Sequence, residues 1–415
     1  MAANIPFELT KLILDQLDDC GPSLRSCALK RVESFLHLCD SPFETISLAQ
    51  VQEFTISQDR ALPGEGTASS LQNCPAFNQL LKWKSSDGKG KTIVDVLGKV
   101  KLLSFNWVGW WTLDEEARSR LLRAFQSVET LKLLMVGFER YGQIQELISS
   151  FSALRTLKLD SIRPILESSP HLALSFNIQH LELGSVGDVA EAFASCPNLQ
   201  SFSCHYFNFF EFNHAQSQAI GKLLASAGSS LEEFSFTVQA AQWEDDNVNL
   251  DPKFRHLDFT RNPNLRMIRL SVDDSSYLIP FFERLVTAPN KLETIDICWL
   301  QKANIDWARF ESILLHSSFA RLRELKCVVF GLYGEEDVVG QPKGWYDDPN
   351  KGSSADLKMT QDIEDFEKKL SGLSSKGVLQ PQPRWRHGWT ASRVVRRSSS
   401  GSTNSDTSTH GGDTD

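Results

Sequence analysis

The stretch Val128-Glu129-Thr130-Leu131-Lys132-Leu133 returns as Leu154-Arg155-Thr156-Leu157-Lys158-Leu159, and again as Ile178-Gln179-His180-Leu181-Glu182-Leu183. Each hexad is apolar at its first, fourth and sixth places. The fourth and sixth flank one residue, as on a short strand with one face buried. The first closes the turn into that strand. The spacing recurs upstream as Val51-Phe54-Ile56 and Val100-Leu103-Phe105. Downstream it reads Leu199-Phe202-Cys204, Leu231-Phe234-Phe236, Leu265-Ile268-Leu270, Leu292-Ile295-Ile297 and Leu322-Leu325-Cys327. Asn78-Leu81-Trp83 reads as a degraded copy. Eleven starts between 51 and 322 give a mean period of (322 − 51)/10 ≈ 27 residues.

Between these hexads lie apolar stripes at i, i+3, i+4, i+7: Ile144/Leu147/Ile148/Phe151, Val189/Ala192/Phe193/Cys196, Ile220/Leu223/Leu224/Ala227 and Leu278/Phe281/Phe282/Leu285. Each predicts about two turns of amphipathic helix. Thr112 with Glu115 predicts a capping box for a helix over 113–125. One strand and one helix cannot bury both apolar faces alone, but stacked copies can. The expected fold is α/β: an irregular leucine-rich-repeat solenoid, with parallel strands on the concave side and helices on the convex side. Such repeats have periods of about 20–29 residues. A doubly wound α/β domain also alternates strand and helix, but here the same strand pattern returns about ten times and no glycine-rich phosphate turn follows a strand. Regular leucine-rich repeats place Asn or Cys three positions after the last apolar strand residue. Here Val136, Ile162, Val186 and Phe207 stand there, so no continuous asparagine ladder is expected.

The 415 residues carry 43 Lys+Arg and 52 Asp+Glu, a formal charge of −9, with 41% hydrophobic residues. That apolar fraction excludes wholesale disorder, and the acidic balance argues against nucleic-acid binding. No apolar run reaches the roughly 20 residues of a membrane helix. Met1 to Pro6 lack the pattern of a secretory signal. The eight Cys are therefore expected as reduced thiols in a cytoplasmic or nuclear protein.

Residues 5–17 form a short amphipathic pattern through Leu9, Leu12, Ile13 and Leu17, with Pro6 near its start. On its own it reads as a cap on the first repeat. The segment also resembles the start of an F-box, through Ile5, Pro6, Glu8, Leu9, Leu12, Ile13 and Leu17, and Ser23 to Leu29 look like the second helix of that box. A box followed by irregular leucine-rich repeats is similar to the F-box proteins of mushroom-forming fungi. The resemblance implies a non-catalytic substrate receptor of an SCF-type cullin–RING ubiquitin ligase. The box would dock the ligase adaptor and the repeats would hold a target. The chain departs from the family after Ala28-Leu29: Lys30-Arg31-Val32-Glu33 follows where Val-Cys-Arg-x-Trp and a third helix would stand. Adaptor docking is accordingly expected to be weakened. The rival is a repeat scaffold that has lost the ligase connection.

Enzyme motifs are not met. Ser85 to Thr92 end in Gly-Lys-Thr, but Ser85 stands where a phosphate loop needs its first glycine, so the stretch reads as a loop. Cys204-His205 with His214 lack zinc spacing, and the acidic runs at 244–246 and 273–274 lack calcium spacing. No metal and no cofactor is expected. The aromatic cluster Phe202, Tyr206, Phe207, Phe209, Phe210 and Phe212 reads first as core.

The residues flanking each buried strand pair point to the concave face. The candidate target-binding set is Lys132, Lys158, Glu182, Glu233, Arg269, Asp296 and Lys326. Their mixed signs suit a protein partner better than a polyanion. The chain is expected to divide into a partial F-box-like segment (1–30), the repeats (31–330), a loop with a capping helix (331–380) and a disordered Ser-rich tail (381–415). Outside its complex it is expected to be a monomer. In the capping helix, Ile363, Phe366 and Leu370 face inward and Glu364 pairs with Lys368.

Overall fold

The computed structural model describes residues 52–57, 75–85, 90–164, 177–184, 189–193, 195–206, 214–238, 255–272, 278–298, 305–329 and 364–383. The F-box-like segment, Phe207 to Phe212 and the tail from residue 384 onward lie outside these residues.

All ten undegraded hexads form strands, and a further one follows. The strands are β1 (Glu53–Ser57), β2 (Leu102–Asn106), β3 (Thr130–Leu134), β4 (Gly137–Phe138), β5 (Thr156–Asp160), β6 (Arg163–Pro164), β7 (His180–Gly184), β8 (Ser201–Tyr206), β9 (Glu233–Val238), β10 (Met267–Val272), β11 (Thr294–Cys298), β12 (Glu324–Val329) and β13 (Leu379–Pro383). Among the described residues, eleven join one sheet in the order β1-β2-β3-β5-β7-β8-β9-β10-β11-β12-β13. Every pairing is parallel and every hexad aligns with the next without slippage, as in Leu131↔Leu157↔Leu181↔Phe202↔Phe234. The sheet is open, and the chain is an irregular leucine-rich-repeat solenoid. β4 and β6 make a separate two-stranded parallel ladder just past the strand ends.

The alternation within each strand explains the burial. Fourth and sixth places face inward: Leu131, Leu133, Leu157, Leu159, Leu181, Leu183, Phe202, Cys204, Phe234 and Phe236 are buried in one continuous core. The first places, Val100 to Leu322, close the same core from below. The helices bury their stripes against the other side of it: Tyr141–Ser149 through Ile144, Leu147 and Ile148, His214–Ala227 through Ile220, Leu223 and Leu224, and Leu278–Thr287 through Phe281, Phe282 and Leu285. The stripe from Val189 supplies one turn of helix, Val189–Ala192, before Phe193 and Cys196 continue into the core as irregular chain.

Three local expectations are corrected. Asn78-Leu81-Trp83 is not a strand copy but overlaps the helix Pro75–Lys82. Phe77, Leu80 and Leu81 lie at i, i+3, i+4 and are buried, so the helical period wins over the hexad. The helix predicted over 113–125 runs Glu115–Ala124, and its N-cap is Asp114, whose carboxylate accepts the Ala117 N–H at 2.9 Å. Thr112 instead donates its hydroxyl to the Gly109 carbonyl at 2.7 Å. Lys368 pairs with Asp365 at 3.3 Å rather than with Glu364.

The turn after each strand shows what replaces the asparagine ladder. Trp107, Met135 and Ser161 follow β2, β3 and β5 with φ of 61°, 54° and 53°, and their N–H groups donate to the carbonyls of Leu134, Asp160 and Gly184. This left-handed residue throws Val108, Val136 and Ile162 inward, where all three are buried. An apolar ladder thus occupies the place of the asparagines.

At the far end, residues 364–369 and the helix Ser371–Ser375 pack on the helix Trp307–Leu314. Phe366 meets Trp307 edge-on at 5.2 Å, and Glu311 Oε1 accepts the N–H groups of Gly372 (2.7 Å) and Leu373 (3.1 Å). The chain then returns as β13 beside β12, across the division drawn at 380/381 from the sequence.

Candidate functional site on the concave face

The odd positions of the strands turn away from the core and align as rows. The central row is Ser104, Lys132, Lys158, Glu182, Ser203, Ser235, Arg269, Asp296, Lys326 and Gln380. Six of the seven candidate residues therefore stand in one line, and Glu233 stands in the neighbouring row beside Ser201. The adaptor candidates Ile5, Pro6, Glu8, Leu9, Leu12, Ile13 and Leu17 lie outside the described residues.

Neighbouring strands are about 4.8 Å apart, so charges in one row reach each other. Lys158 Nζ meets Glu182 Oε1 at 2.5 Å and Arg269 Nε meets Asp296 Oδ2 at 3.0 Å, while Lys326 Nζ meets Glu324 Oε2, two residues back on its own strand, at 3.0 Å. The mixed signs read from the sequence are thus mostly consumed within the face. Between the Lys158–Glu182 and Arg269–Asp296 pairs lies a hydroxyl-rich band: Ser201, Ser203, Ser235 and Thr237 on β8 and β9.

A row two residues further on holds Leu134, Asp160, Gly184, His205 and Thr237. Here the structure adds residues that the list of strand flanks missed. Asp160 accepts the Ser161 hydroxyl at 3.1 Å. Its carboxylate occupies the space that Gly184 leaves open, since a Cβ at Gly184 would stand 2.8 Å from Oδ1. Burial pushes the Asp160 carboxyl above its ordinary pKa, with Ser161 and Lys158 pulling it back. His205 Nε2 lies 2.8 Å from Ser203 Oγ and 3.7 Å from Glu182 Oε1. Burial holds the His205 ring below its ordinary pKa, and Glu182 opposes that shift.

This constellation is not a nucleophile triad. An acid that orients a general base must sit on the nitrogen away from the nucleophile. Here Glu182 approaches Nε2, the nitrogen already facing Ser203. Cys204 and His205 project from opposite faces of β8, so they share no site. His214 lies elsewhere, edge-on to His256 at 4.6 Å. Among the described residues no group of three His, Cys, Asp or Glu is placed to hold a metal ion. Burial pushes the Cys196 thiol up to about 12 and Cys204 well above its ordinary value. At the two ends of the Gly-Lys-Thr stretch, Ser85 N–H donates to the Lys91 carbonyl at 2.7 Å, and the Asp95 carboxylate accepts the Thr92 N–H at 2.8 Å.

Among the described residues, Met135 and Leu315 are the large apolar side chains most open to solvent. No described helix is long and apolar enough to cross a membrane. What the face offers is a polar, charge-paired surface some ten strands wide.

No family model matches the chain, and no curated protein matches it in sequence. Solved structures similar to it include a protein of Bacteroides fragilis, 16% identical with a TM-score of 0.33, the match covering 60% of this chain and 62% of that one. The mouse RP105/MD-1 complex matches at 14% identity and a TM-score of 0.27, over 56% of this chain and 35% of that one. The chain spans less than two thirds of either.

Proposed function

We propose that this chain is a protein-binding receptor. The concave face holds a target protein, and the amino-terminal segment docks the adaptor of a cullin–RING ubiquitin ligase in the cytoplasm or nucleus. The observation that supports target binding is the single in-register row from Lys132 to Lys326, presented on a rigid parallel sheet. Because the face is polar and mostly self-paired, complementarity of charge and shape would select the partner rather than apolar burial. The adaptor half of the reading rests on the sequence pattern Ile5, Pro6, Glu8, Leu9, Leu12, Ile13 and Leu17. A receptor of this kind catalyses nothing; it raises the effective concentration of its target near the charged conjugating enzyme.

The truncation after Leu29 favours a second reading, a protein-binding scaffold without a ligase. A pull-down of the full chain with the ligase adaptor separates the two. The receptor reading expects weak, saturable capture that Leu9→Asp abolishes. Capture at full strength that is indifferent to Leu9→Asp would overturn the assignment of this segment, and no capture at all would leave the scaffold.

A further inference from the structure

Three candidates outside the plain row of charges stand out. The His214–His256 pair, edge-on at 4.6 Å, and the Trp111 ring over Gly109 and Gly137 lie outside the strand rows of the concave face. The cluster of Lys158, Asp160, Glu182, Ser203 and His205 lies in the face itself, and its geometry is asymmetric. One carboxylate oxygen, Glu182 Oε1, lies between two basic neighbours on opposite sides: Lys158 Nζ at 2.5 Å on β5 and His205 Nε2 at 3.7 Å on β8. The closer partner holds it. The imidazole meanwhile is occupied by the Ser203 hydroxyl at 2.8 Å.

We propose that Glu182 is a switchable acceptor: protonation of His205 draws it away from Lys158, releasing the lysine ammonium onto the centre of the concave face. This rests on the reading of that face as the target-binding surface and adds a proton-linked control to it. The steps follow from hydrogen-bond inventory. In the neutral ring that carries its proton on Nδ1, Nε2 accepts the Ser203 O–H. Once Nε2 carries a proton it can only donate, and the anion beside it is Glu182. The Ser203 hydroxyl then turns its lone pair toward the ring or leaves.

The groups that face His205 are Glu182 and Asp160, which favour its charged form, and Lys158 and Arg269, which oppose it. At neutral pH the four central groups sum to one negative charge: Lys158 positive, Glu182 and Asp160 negative, His205 neutral. With His205 and Asp160 both protonated the sum is one positive charge. Asp160 moves in the helpful direction, because burial favours its protonated form. Protonation of His205 alone brings the sum to zero, and protonation of Asp160 as well makes it positive, so acidification moves the middle of the face away from negative charge. A target that offers a cation there is held at neutral pH and held less tightly as these groups protonate.

The test needs no target, so its failure differs from a failure of the binding reading. In full-length protein, the His205 ring resonance (assigned by its loss in His205→Asn) is titrated by NMR together with the side-chain carbons of Lys158. The expected result has three parts. Glu182→Gln moves the His205 midpoint down, and Lys158→Met moves it up. In the wild type the Lys158 resonance shifts with the His205 midpoint, and in His205→Asn that shift is lost. Superposed His205 curves in the three proteins, shifts of opposite sign, or a Lys158 resonance that ignores the His205 transition would overturn the proposal. Thermal melts that match the wild type confirm that the variants fold. Should Lys158→Met unfold the chain, Lys158→Gln carries the same expectation.

Discussion

Asn262 is fully buried, and its side-chain amide donates to the carbonyls of Leu224 and Gly228, both at 2.9 Å. These lie at the end of the helix His214–Ala227, where carbonyls lack helical partners. One residue thus ties a helix to the next repeat. Asn262→Ala strands two acceptors and should cost about 1–3 kcal/mol in a denaturant melt. Asp114 plays the equivalent part at a helix start, helped by an ion pair to Lys82. Those bonds lower its carboxyl pKa. Its contribution is therefore present above the ordinary carboxylate pKa and lost as pH falls through the lowered value. Asp114→Ala should cost about 1 kcal/mol at pH 7, the usual worth of an N-cap. Asp160 has the opposite sign. Burial raises its pKa, so the folded state binds the proton more tightly than the unfolded chain. Ionisation thus weakens the fold as pH rises through the raised value. Asp160→Asn should melt higher than the wild type at pH 7, and its advantage should fade below about pH 4, where the unfolded aspartate is protonated too. Equal melts at both pH values would show that the carboxylate is not desolvated.

The strand is the element that sequence betrays most plainly, because each one spends its apolar residues on the same two places and the core allows no slip between copies. Ten strands were legible for that reason. β13 was not: Leu379-Gln-Pro-Gln-Pro has one aliphatic residue and a proline at 381 that suits an edge strand. The helix Pro75–Lys82 was misread because Leu81 and Trp83 mimic the hexad spacing, although Phe77, Leu80 and Leu81 carry the helical one. The row of candidate charges was legible from strand alternation, but its pairing was not, since it depends on which repeats are neighbours. The Asp160–Gly184–His205 row was missed because nothing local marks a glycine as the gap that accommodates the carboxylate of the preceding repeat. The strand ends show a regularity of their own. The carbonyls of Gln52, Lys101, Glu129, Arg155, Gln179, Gln200, Glu232, Arg266 and Glu293 each accept two N–H groups from the following repeat. Their side chains alternate in sign over Lys101-Glu129-Arg155 and over Glu232-Arg266-Glu293, which suits neighbours about 4.8 Å apart. The apolar ladder Val108, Val136 and Ile162 gives the sharpest test at this scale. Val136→Asn restores the residue of a regular repeat, but at a buried position among apolar neighbours. It should lower stability by about 1–3 kcal/mol, and an unchanged or higher denaturant midpoint would show that the turn can use the amide after all.

At the scale of the molecule, each repeat touches only its neighbours, so stability is a sum of local interfaces and the ends are the weak points. Residues 364–383 close the last one: Phe366, Leu370 and Leu373 are buried, and β13 covers β12. Glu311→Ala removes the acceptor for two N–H groups of that cap. Hydrogen exchange should speed up across 364–383 and remain unchanged in β3 and β5; uniform acceleration would mean that the array melts as one unit. The concave row has meaning only if the strands truly run side by side in one direction, and spin labels can measure this. Thr130, Glu233 and Glu324 occupy the same register on β3, β9 and β12, four and seven strand steps along the sheet. With labels carried on ketone-bearing residues at these positions, dipolar electron resonance should give about 19 Å for 130–233 and about 34 Å for 130–324, less a little for curvature. A second distance equal to or shorter than the first would mean that the sheet closes or folds back, and would contradict the open parallel solenoid.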